Sequence, residues 1–136
     1  MKAAVIYWTS SGNTEGMANY IADGMKDAGA EVEVFDIASA PTDLSGYDKV
    51  AFGCPAMGAE ELDDTEFEPY FAGIEGQLNK KPIALFGSYG WGEGEWMRTW
   101  IERANSDGAD VFGEGLIARG EGDETECKAF GNDFAK

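Results

Sequence analysis

Residues able to hold an anion are concentrated in one short stretch near the amino terminus. Between a strand-like run and a helix-like run, five of six consecutive residues carry a hydroxyl or carboxamide group, in the order Thr9, Ser10, Ser11, Gly12, Asn13 and Thr14. A helix beginning here would aim its free N–H groups and the positive end of its dipole at the loop. Such residues are also ordinary helix caps, but their density favours a bound anion.

The composition of this loop excludes two common nucleotide sites. It lacks the lysine-containing GxxxxGK[ST] pattern of triphosphate sites, and Gly12 stands alone where a dinucleotide site has GxGxxG. The anion that remains is a single terminal phosphate, held by neutral donors without a basic side chain.

Two further segments follow strand-like runs and carry unusual residues. The segment "SYGWGEGEW" sets Trp91 between two glycines, so this indole has little local packing and can stack on a planar ligand. The segment "CPAMGAEE" offers Met57 as a polarizable contact and Gly58 as the first central residue of a turn with two accessible peptide orientations. Trp96 and Trp100 are instead expected in the core, at the entrance to a helix.

These three segments need a scaffold that brings them together. Short apolar runs predict five strands, at residues 3–8, 32–37, 49–54, 83–88 and 110–117. Helical spacing of apolar residues predicts four helices, at 13–28, 65–78, 95–105 and 125–135. The alternation indicates one α/β domain over residues 1–136, with a parallel sheet covered by helices on both faces. Ligands bind such sheets outside the carboxyl ends of the strands, where the three loops should converge.

Charge and composition narrow the function further. Ten basic residues against 26 acidic ones give a net charge of −16, which disfavours nucleic acid and membrane surfaces as partners. The chain has no histidine and two distant cysteines, Cys54 and Cys127, so we expect no zinc site, no conventional catalytic triad and buried, free thiols. The amino terminus does not have the pattern of a signal peptide, which predicts a cytoplasmic protein.

The stretches "SGNTE", "GCPAMGAEELDDTEFEP" and "LFGSYGWGEGEWM" resemble those of flavodoxins, particularly the short-chain members from anaerobic bacteria, and the resemblance extends over the whole chain. It implies a three-layer sandwich with strand order 2-1-3-4-5 and FMN bound without a covalent link. It also implies a low-potential one-electron carrier that can replace ferredoxin between redox enzymes.

The resemblance assigns roles to individual residues. The phosphate falls on the loop from Thr9 to Thr14 with Ser88 nearby, while Trp91 and Met57 lie against the two faces of the isoalloxazine. The Gly58 carbonyl turns toward the flavin N5 on one-electron reduction, and Glu60 reaches the N3 edge. The remaining contacts fall on Ala56, Ala59, Tyr89, Gly90 and Gly92. Many relatives have glycine at the position of Ser10 and an acid at that of Ala59.

Acidic residues close to the expected ring site are predicted to influence both the redox states of the cofactor and the choice of partner proteins. The run from Glu60 to Glu68 holds six acids and no basic residue, and Glu93 and Glu95 flank Trp91's loop. Negative charge nearby disfavours fully reduced, anionic FMN, while the Gly58 carbonyl favours the neutral semiquinone. The acidic face is expected to steer a monomeric protein toward basic docking sites on reductases, 2-oxoacid oxidoreductases and enzymes of the hydrogenase or nitrogenase type.

Three alternatives share parts of this pattern. An FMN-dependent NAD(P)H or quinone reductase has the same fold but needs a second substrate pocket, usually made by longer loops or by an oligomer. A phospho-acceptor signalling domain needs an acid where this chain has Gly53 and Cys54 after the third strand. A flavin module that serves one dedicated partner has the same sequence features as a general carrier.

Overall fold

The computed structural model describes all 136 residues, Met1–Lys136. Six strands form its sheet: β1 Lys2–Tyr7, β2 Glu31–Asp36, β3 Lys49–Gly53, β4 Pro82–Tyr89, β5 Asp110–Val111 and β6 Leu116–Arg119. Four α-helices connect or follow them: α1 Asn13–Asp27, α2 Phe67–Ile74, α3 Glu95–Ser106 and α4 Glu124–Ala135. None of these helices is both long and apolar enough to cross a bilayer.

Every strand pairing in the sheet is parallel, and the strand order is β2-β1-β3-β4-β5, with β6 also pairing with β4. The predicted fold class and strand order are therefore confirmed. Because the order reverses between β1 and β3, the loops after these two strands open a crevice at the carboxyl edge of the sheet.

The last strand position differs from the prediction of one strand at residues 110–117. It is divided into β5 and β6, and both pieces pair with β4. The interruption contains Gly113 and Gly115, which have φ angles of 57° and 75°. This left-handed backbone cannot continue a strand, so the strand is interrupted and pairs with β4 again from Leu116.

The second helix is also shorter than predicted. The sequence indicated residues 65–78, whereas α2 spans Phe67–Ile74 and is followed by a 3₁₀ turn, Glu75–Gln77. The other three helices agree with the predictions to within one residue at each end.

The two faces of the sheet bury separate cores. The face covered by α2 and α3 buries large aromatic side chains, among them Phe52, Phe67, Phe71, Trp96 and Trp100. The face covered by α1 and α4 buries smaller side chains around Met17, Ile21, Met25 and Phe134. Trp96 and Trp100 are thus core residues, as predicted, and Cys54 and Cys127 are buried and unpaired.

Candidate functional site

The loop between β1 and α1 has the geometry of an anion site. Gly12 adopts a φ of 96°, and the first helical hydrogen bond runs from the Gly16 N–H to the Gly12 carbonyl at 3.0 Å. The backbone N–H groups of Asn13, Thr14 and Glu15 precede that bond and have no partner within the helix. Ser10 and Ser11 are exposed beside them. Free N–H groups and hydroxyls therefore face the same space.

Other hydroxyls of the predicted phosphate loop are already used inside the protein. The Thr9 Oγ1 accepts the Gly12 N–H at 3.0 Å and braces the loop. The buried Thr14 Oγ1 accepts the Ser88 N–H at 3.3 Å, and the Ser88 hydroxyl donates to the Gly120 carbonyl at 2.6 Å. These bonds connect the first loop to the end of β4. The same residues form one side of a cavity of about 170 Å³.

The cavity is lined by residues from all three predicted loops and from the segment after β6: Ser10, Ser11, Asn13, Pro55, Ala56, Ser88, Tyr89, Gly90 and Gly120. The second and third loops are joined directly, since the Ala56 N–H donates to the Ser88 carbonyl at 3.0 Å. The structure thus brings together the segments that the sequence placed at one edge.

The turn after β3 is a tight hairpin rather than a turn with two central residues. Met57 and Glu61 exchange both backbone hydrogen bonds, at 2.7 and 2.8 Å. Three residues lie between them, and the first and last, Gly58 and Glu60, have left-handed φ angles of 52° and 56°. Gly58 is therefore the first of three loop residues. Such a conformation costs little at glycine and is uncommon for a glutamate.

Glu60 joins the turn to the loop that carries Trp91. Its two carboxylate oxygens accept the N–H groups of Glu93 and Glu95, at 2.7 and 2.9 Å. Glu95 is the first residue of α3, so this carboxylate satisfies free donors at a helix amino terminus. Gly92 leaves room for it, because a Cβ there would collide with the Glu60 carboxylate. This close approach accounts for the unusual backbone of Glu60.

Trp91 projects from the third loop with 63% of its surface exposed. Gly92 and Gly94 on its carboxyl side both have positive φ angles, so the loop turns sharply and holds the indole away from the core. Tyr89, two residues earlier in the sequence, packs instead against Trp96, with ring centroids 5.5 Å apart. An exposed indole beside a polar cavity is suited to stacking on a planar ligand.

Most carboxylates of the acidic run from Glu60 to Glu68 make structural contacts, which the sequence does not reveal. Four of its members have structural partners: Glu60 as described, Asp63 at the start of α2, Glu66 on the Trp8 indole, and Glu68 on Arg103. Glu61 and Asp64 are exposed, and their carboxylates accept no hydrogen bond within the protein. Only Glu68 is paired with a cation, so most of the negative charge of the run remains, but four of its six carboxylates are held in place by structural contacts.

Asp63 is the clearest structural member of the run. It is buried, and its carboxylate accepts the N–H groups of Glu66 and Phe67, at 2.7 and 2.9 Å, and the Thr65 hydroxyl at 3.0 Å. Burial by itself would raise the pKa of Asp63, but these donors hold the pKa below its ordinary value. Asp63 was grouped with the other acids of the run as part of the steering charge, although an Asp shortly before a helix is a recognised capping signal.

Two buried titratable side chains at the carboxyl ends of strands β1 and β3, Tyr7 and Cys54, have raised pKa values. Burial, followed by the hydrogen bond to Glu15, raises the pKa of Tyr7 to about 12. Burial also raises the pKa of the Cys54 thiol to about 12, so this cysteine is not poised as a thiolate. No cluster of three or more Cys, Asp or Glu side chains is arranged to hold a metal ion.

Fold and site together define a class of protein: a doubly wound α/β domain that holds a phosphorylated planar cofactor at the carboxyl edge of its sheet. The neutral donors suit one phosphate group, and the exposed indole suits an aromatic ring.

Comparison with known proteins identifies the family within this class. A family model described as Flavodoxin matches residues 5–131. The chain is 43% identical to a flavodoxin of Megasphaera elsdenii over 133 residues, 97% of each protein, and 42% identical to a flavodoxin of Clostridium beijerinckii over 134 residues, 96% and 97% of the two chains. The solution structure of two-electron reduced Megasphaera elsdenii flavodoxin superposes with a TM-score of 0.90, covering 98% of both chains.

The chain therefore belongs to the flavodoxin family. It is an electron-transfer protein that uses FMN, as the resemblance of its motifs implied. The alternative of an FMN-dependent reductase is not favoured by these relatives.

Proposed function

We propose that residues 1–136 form one FMN-binding unit that carries single electrons at low potential between redox enzymes and turns over no substrate of its own. The observation that carries this proposal is the meeting of three loops at one edge of the sheet: a neutral anion site, an exposed indole and a strained hairpin. When bound, FMN supplies the redox chemistry by accepting and releasing electrons singly.

At the phosphate end, the protein's task is binding. We assign the phosphate to the N–H groups of Asn13 and Thr14 and to the hydroxyls of Ser10 and Ser11, which have free donors toward the cavity. Thr9 acts indirectly, because its hydroxyl oxygen fixes the Gly12 N–H. Ser88 likewise acts through its backbone contact with Thr14. All of these donors are neutral, so the site adds no side-chain cation near the cofactor's phosphate.

At the ring end, the protein orients the cofactor and adjusts its electrostatics. Trp91 stacks on one face of the ring, and Met57 contacts the other from the hairpin. The Gly58 peptide is the element that changes orientation, because glycine has no Cβ to resist either state and no atom lies within 4 Å of where a Cβ would be. Ala56, Ala59, Tyr89, Gly90 and Gly92 complete the walls.

Glu60 holds a position between these two ring-side loops. Its carboxylate is shared by the N–H groups of Glu93 and Glu95, so it sets the distance between the hairpin and the Trp91 loop. We retain the contact with the flavin N3 edge as a proposal. The same carboxylate would make it, in addition to or in exchange for one of these two bonds.

The charges relevant to the choice of redox protein are the exposed carboxylates that accept no hydrogen bond and form no salt bridge. Glu61, Asp64 and Glu93 surround the hairpin and the Trp91 loop without a basic neighbour in salt-bridge contact. We propose that they steer the carrier toward basic docking faces of reductases, 2-oxoacid oxidoreductases and hydrogenase- or nitrogenase-type enzymes. Complexes of this kind are expected to be small and transient.

We further propose a cytoplasmic monomer. The exposed large apolar side chains are Met1, Val34 and Trp91, and Trp91 is assigned to the cofactor, which leaves little apolar surface for a second copy. The buried, unpaired cysteines fit a reducing compartment.

The test is reconstitution of the purified protein with FMN, followed by mixing with NADH or NADPH. The carrier proposal predicts a bound-flavin absorption spectrum, no oxidation of either nucleotide alone, and rapid reduction once a flavoprotein reductase is added. Steady oxidation of NADH or NADPH without an added reductase would identify an enzyme instead.

A further inference from the structure

Arg119 is the only arginine of the chain without a carboxylate partner. Arg98 pairs with Glu95 at 2.8 Å, and Arg103 pairs with Glu68 and Glu75 at 2.7 and 2.6 Å. Arg119 forms no salt bridge, although the protein has 26 acidic residues to offer. In a chain of net charge −16, an unpaired guanidinium in a fixed position is unexpected.

Aromatic and backbone contacts fix its position. Arg119 is the last residue of β6 and lies opposite Tyr89 in the parallel register. Its Cζ lies 4.8 Å from the centre of the Tyr89 ring, and its Nη1 donates to the Gly90 carbonyl at 3.3 Å. A guanidinium on an aromatic face is attracted by the negative face of the ring, so Tyr89 supports the charge without neutralising it.

These contacts place the charge directly behind two residues that line the cofactor cavity, although Arg119 does not line it itself. Tyr89 and Gly90, which Arg119 touches, both line that cavity, as does Gly120, the next residue in sequence. Gly90 also immediately precedes Trp91, the exposed indole. The guanidinium thus contacts the residue that precedes the proposed ring-stacking residue in sequence.

The alternation of side chains along the strands decides which end of the cofactor it serves. Leu116 and Ala118 pack on the α1 and α4 side of the sheet, whereas Ile117 packs on the α2 and α3 side. Arg119 follows the parity of Ile117 and therefore shares the face of Tyr89 and α3. The phosphate loop leads into α1 on the opposite face, so Arg119 belongs to the ring side of the cavity.

We propose that Arg119 is a charge-tuning residue of the flavin site, whose unpaired guanidinium, held on Tyr89 and Gly90, favours the negatively charged, fully reduced cofactor. It offsets part of the opposing effect of Glu61, Asp64 and Glu93, and so limits how far they lower the second reduction potential. This inference rests on the proposed assignment of the ring site. It goes beyond that proposal by assigning a role to a ring-side cation that, unlike Arg98, is not paired with a carboxylate.

The test compares three variants by spectroelectrochemical titration of the FMN-bound protein. Arg119→Gln removes the charge but keeps a long polar side chain, and Arg119→Lys keeps the charge but loses the planar fork. Lys26→Gln is the matched charge control, because Lys26 lies in the last turn of α1, about 20 Å along the helix from Asn13 at the cavity. Arg119 is exposed, so all three proteins are expected to fold.

We expect Arg119→Gln to disfavour the reduced cofactor by about two- to fourfold, which lowers the second potential by roughly 18–36 mV at 59 mV per tenfold. Arg119→Lys should retain most of the wild-type potential, and Lys26→Gln should leave it unchanged. Because the effect is electrostatic, the difference between wild type and Arg119→Gln should shrink at about 1 M salt, where the Debye length is about 3 Å.

An unchanged potential in Arg119→Gln would overturn the inference, and so would an equal shift in Arg119→Gln and Arg119→Lys. Weaker binding of oxidised FMN by both variants, with wild-type potentials, would assign Arg119 a bracing role only and would also overturn it. A wild-type protein that shows no bound-flavin spectrum would instead contradict the proposed function, so the two failures can be told apart.

Discussion

The two ends of the cofactor cavity are built on opposite plans. The phosphate end is a helix amino terminus with neutral donors, and its hydroxyls are fixed by short bonds such as that from the Gly12 N–H to Thr9. The ring end consists of two loops that contain left-handed residues, carboxylates and one unpaired guanidinium. One end is regular and binds through uncharged donors, while the other contains left-handed residues and many charged side chains.

The affinity for the cofactor and its redox potentials are therefore controlled in separate places. A phosphate keeps its charge through every redox change, so a rigid neutral site can bind it equally in all states. The ring changes its charge and hydrogen bonding on reduction, so residues beside it discriminate between states. We therefore expect substitutions at the phosphate end to alter affinity, and those at the ring end to alter potentials or partner encounters.

The largest expected effect concerns an acid that lies in the ring-side segment but serves the fold. Asp63→Ala removes three hydrogen bonds from the start of α2 and should lower the free energy of unfolding by about 2–3 kcal/mol. Asp64→Ala, its exposed neighbour, is the matched control and should change stability by less than about 0.5 kcal/mol. Urea denaturation of the two variants measures both values.

The contribution of the Asp63 carboxylate to stability should also depend on pH, and the direction of this dependence follows from its lowered pKa. The folded-state pKa of Asp63 is lowered, so its stabilisation is complete above the unfolded pKa of about 3.9 and is lost as the pH falls through the folded value. The stability difference between wild type and Asp63→Asn should therefore narrow in acid. A difference that grows as the pH falls would show that the carboxylate is not stabilised by these donors.

At the phosphate end, Ser11→Ala should weaken FMN binding by about tenfold, the loss of one hydrogen bond to a charged group. Riboflavin, which lacks the phosphate, should bind wild type and variant equally. Ser11 is exposed, so the fold should be unaffected. Flavin fluorescence titrations provide the affinities, and an equal loss for both ligands would remove Ser11 from the phosphate site.

At the ring end, Gly58→Val places a β-branched side chain on a residue with a φ of 52°. We take this left-handed turn as the one in which the Gly58 carbonyl faces the ring in both reduced states. Valine raises the cost of that turn by about 1 kcal/mol, so the first one-electron potential should fall by roughly 40 mV while the second stays, and the gap between them narrows by the same amount. Gly58→Ala, whose side chain is not branched, is the graded comparison and should narrow the gap less than Gly58→Val does. If the difference between the two one-electron potentials is the same in wild type and Gly58→Val, the hairpin does not control the potentials.

The smallest effect is expected for the free carboxylates. Changing Glu61→Gln together with Asp64→Asn should slow electron transfer to horse cytochrome c, a basic acceptor, by about two- to threefold at low salt. Asp27→Asn with Glu31→Gln removes the same charge at the opposite edge of the sheet and serves as the control. Stopped-flow rates that are equal for the two pairs would mean that net charge, not the ring-side face, directs the encounter.

The fold could be predicted because it depends on local patterns. Alternating strand and helix periods indicated the parallel sheet. The glycines around Trp91 predicted that this indole is exposed, whereas Trp96 was predicted in the core. The interruption between β5 and β6 was not predicted, because residues 110–117 have a strand-like composition and the break depends on two glycine conformations.

The site was predicted in outline but not in its charges. The residues that would contact a cofactor lie within three recognisable motifs, and the structure brings those motifs together. The partners of the acids lie far along the chain, as Arg103 does from Glu68 and the α3 amino terminus does from Glu60, so sequence could not reveal which carboxylates are free. Arg119 was missed for the same reason, because only the sheet register brings it to Tyr89.

The most direct test of the division between a binding end and a tuning end is a redox titration of the FMN-bound wild-type protein, followed spectroscopically. We predict two resolved one-electron steps, the second at clearly lower potential than the first, because the hairpin and the nearby charges treat successive states differently. A single two-electron step at the potential of free FMN would contradict this account.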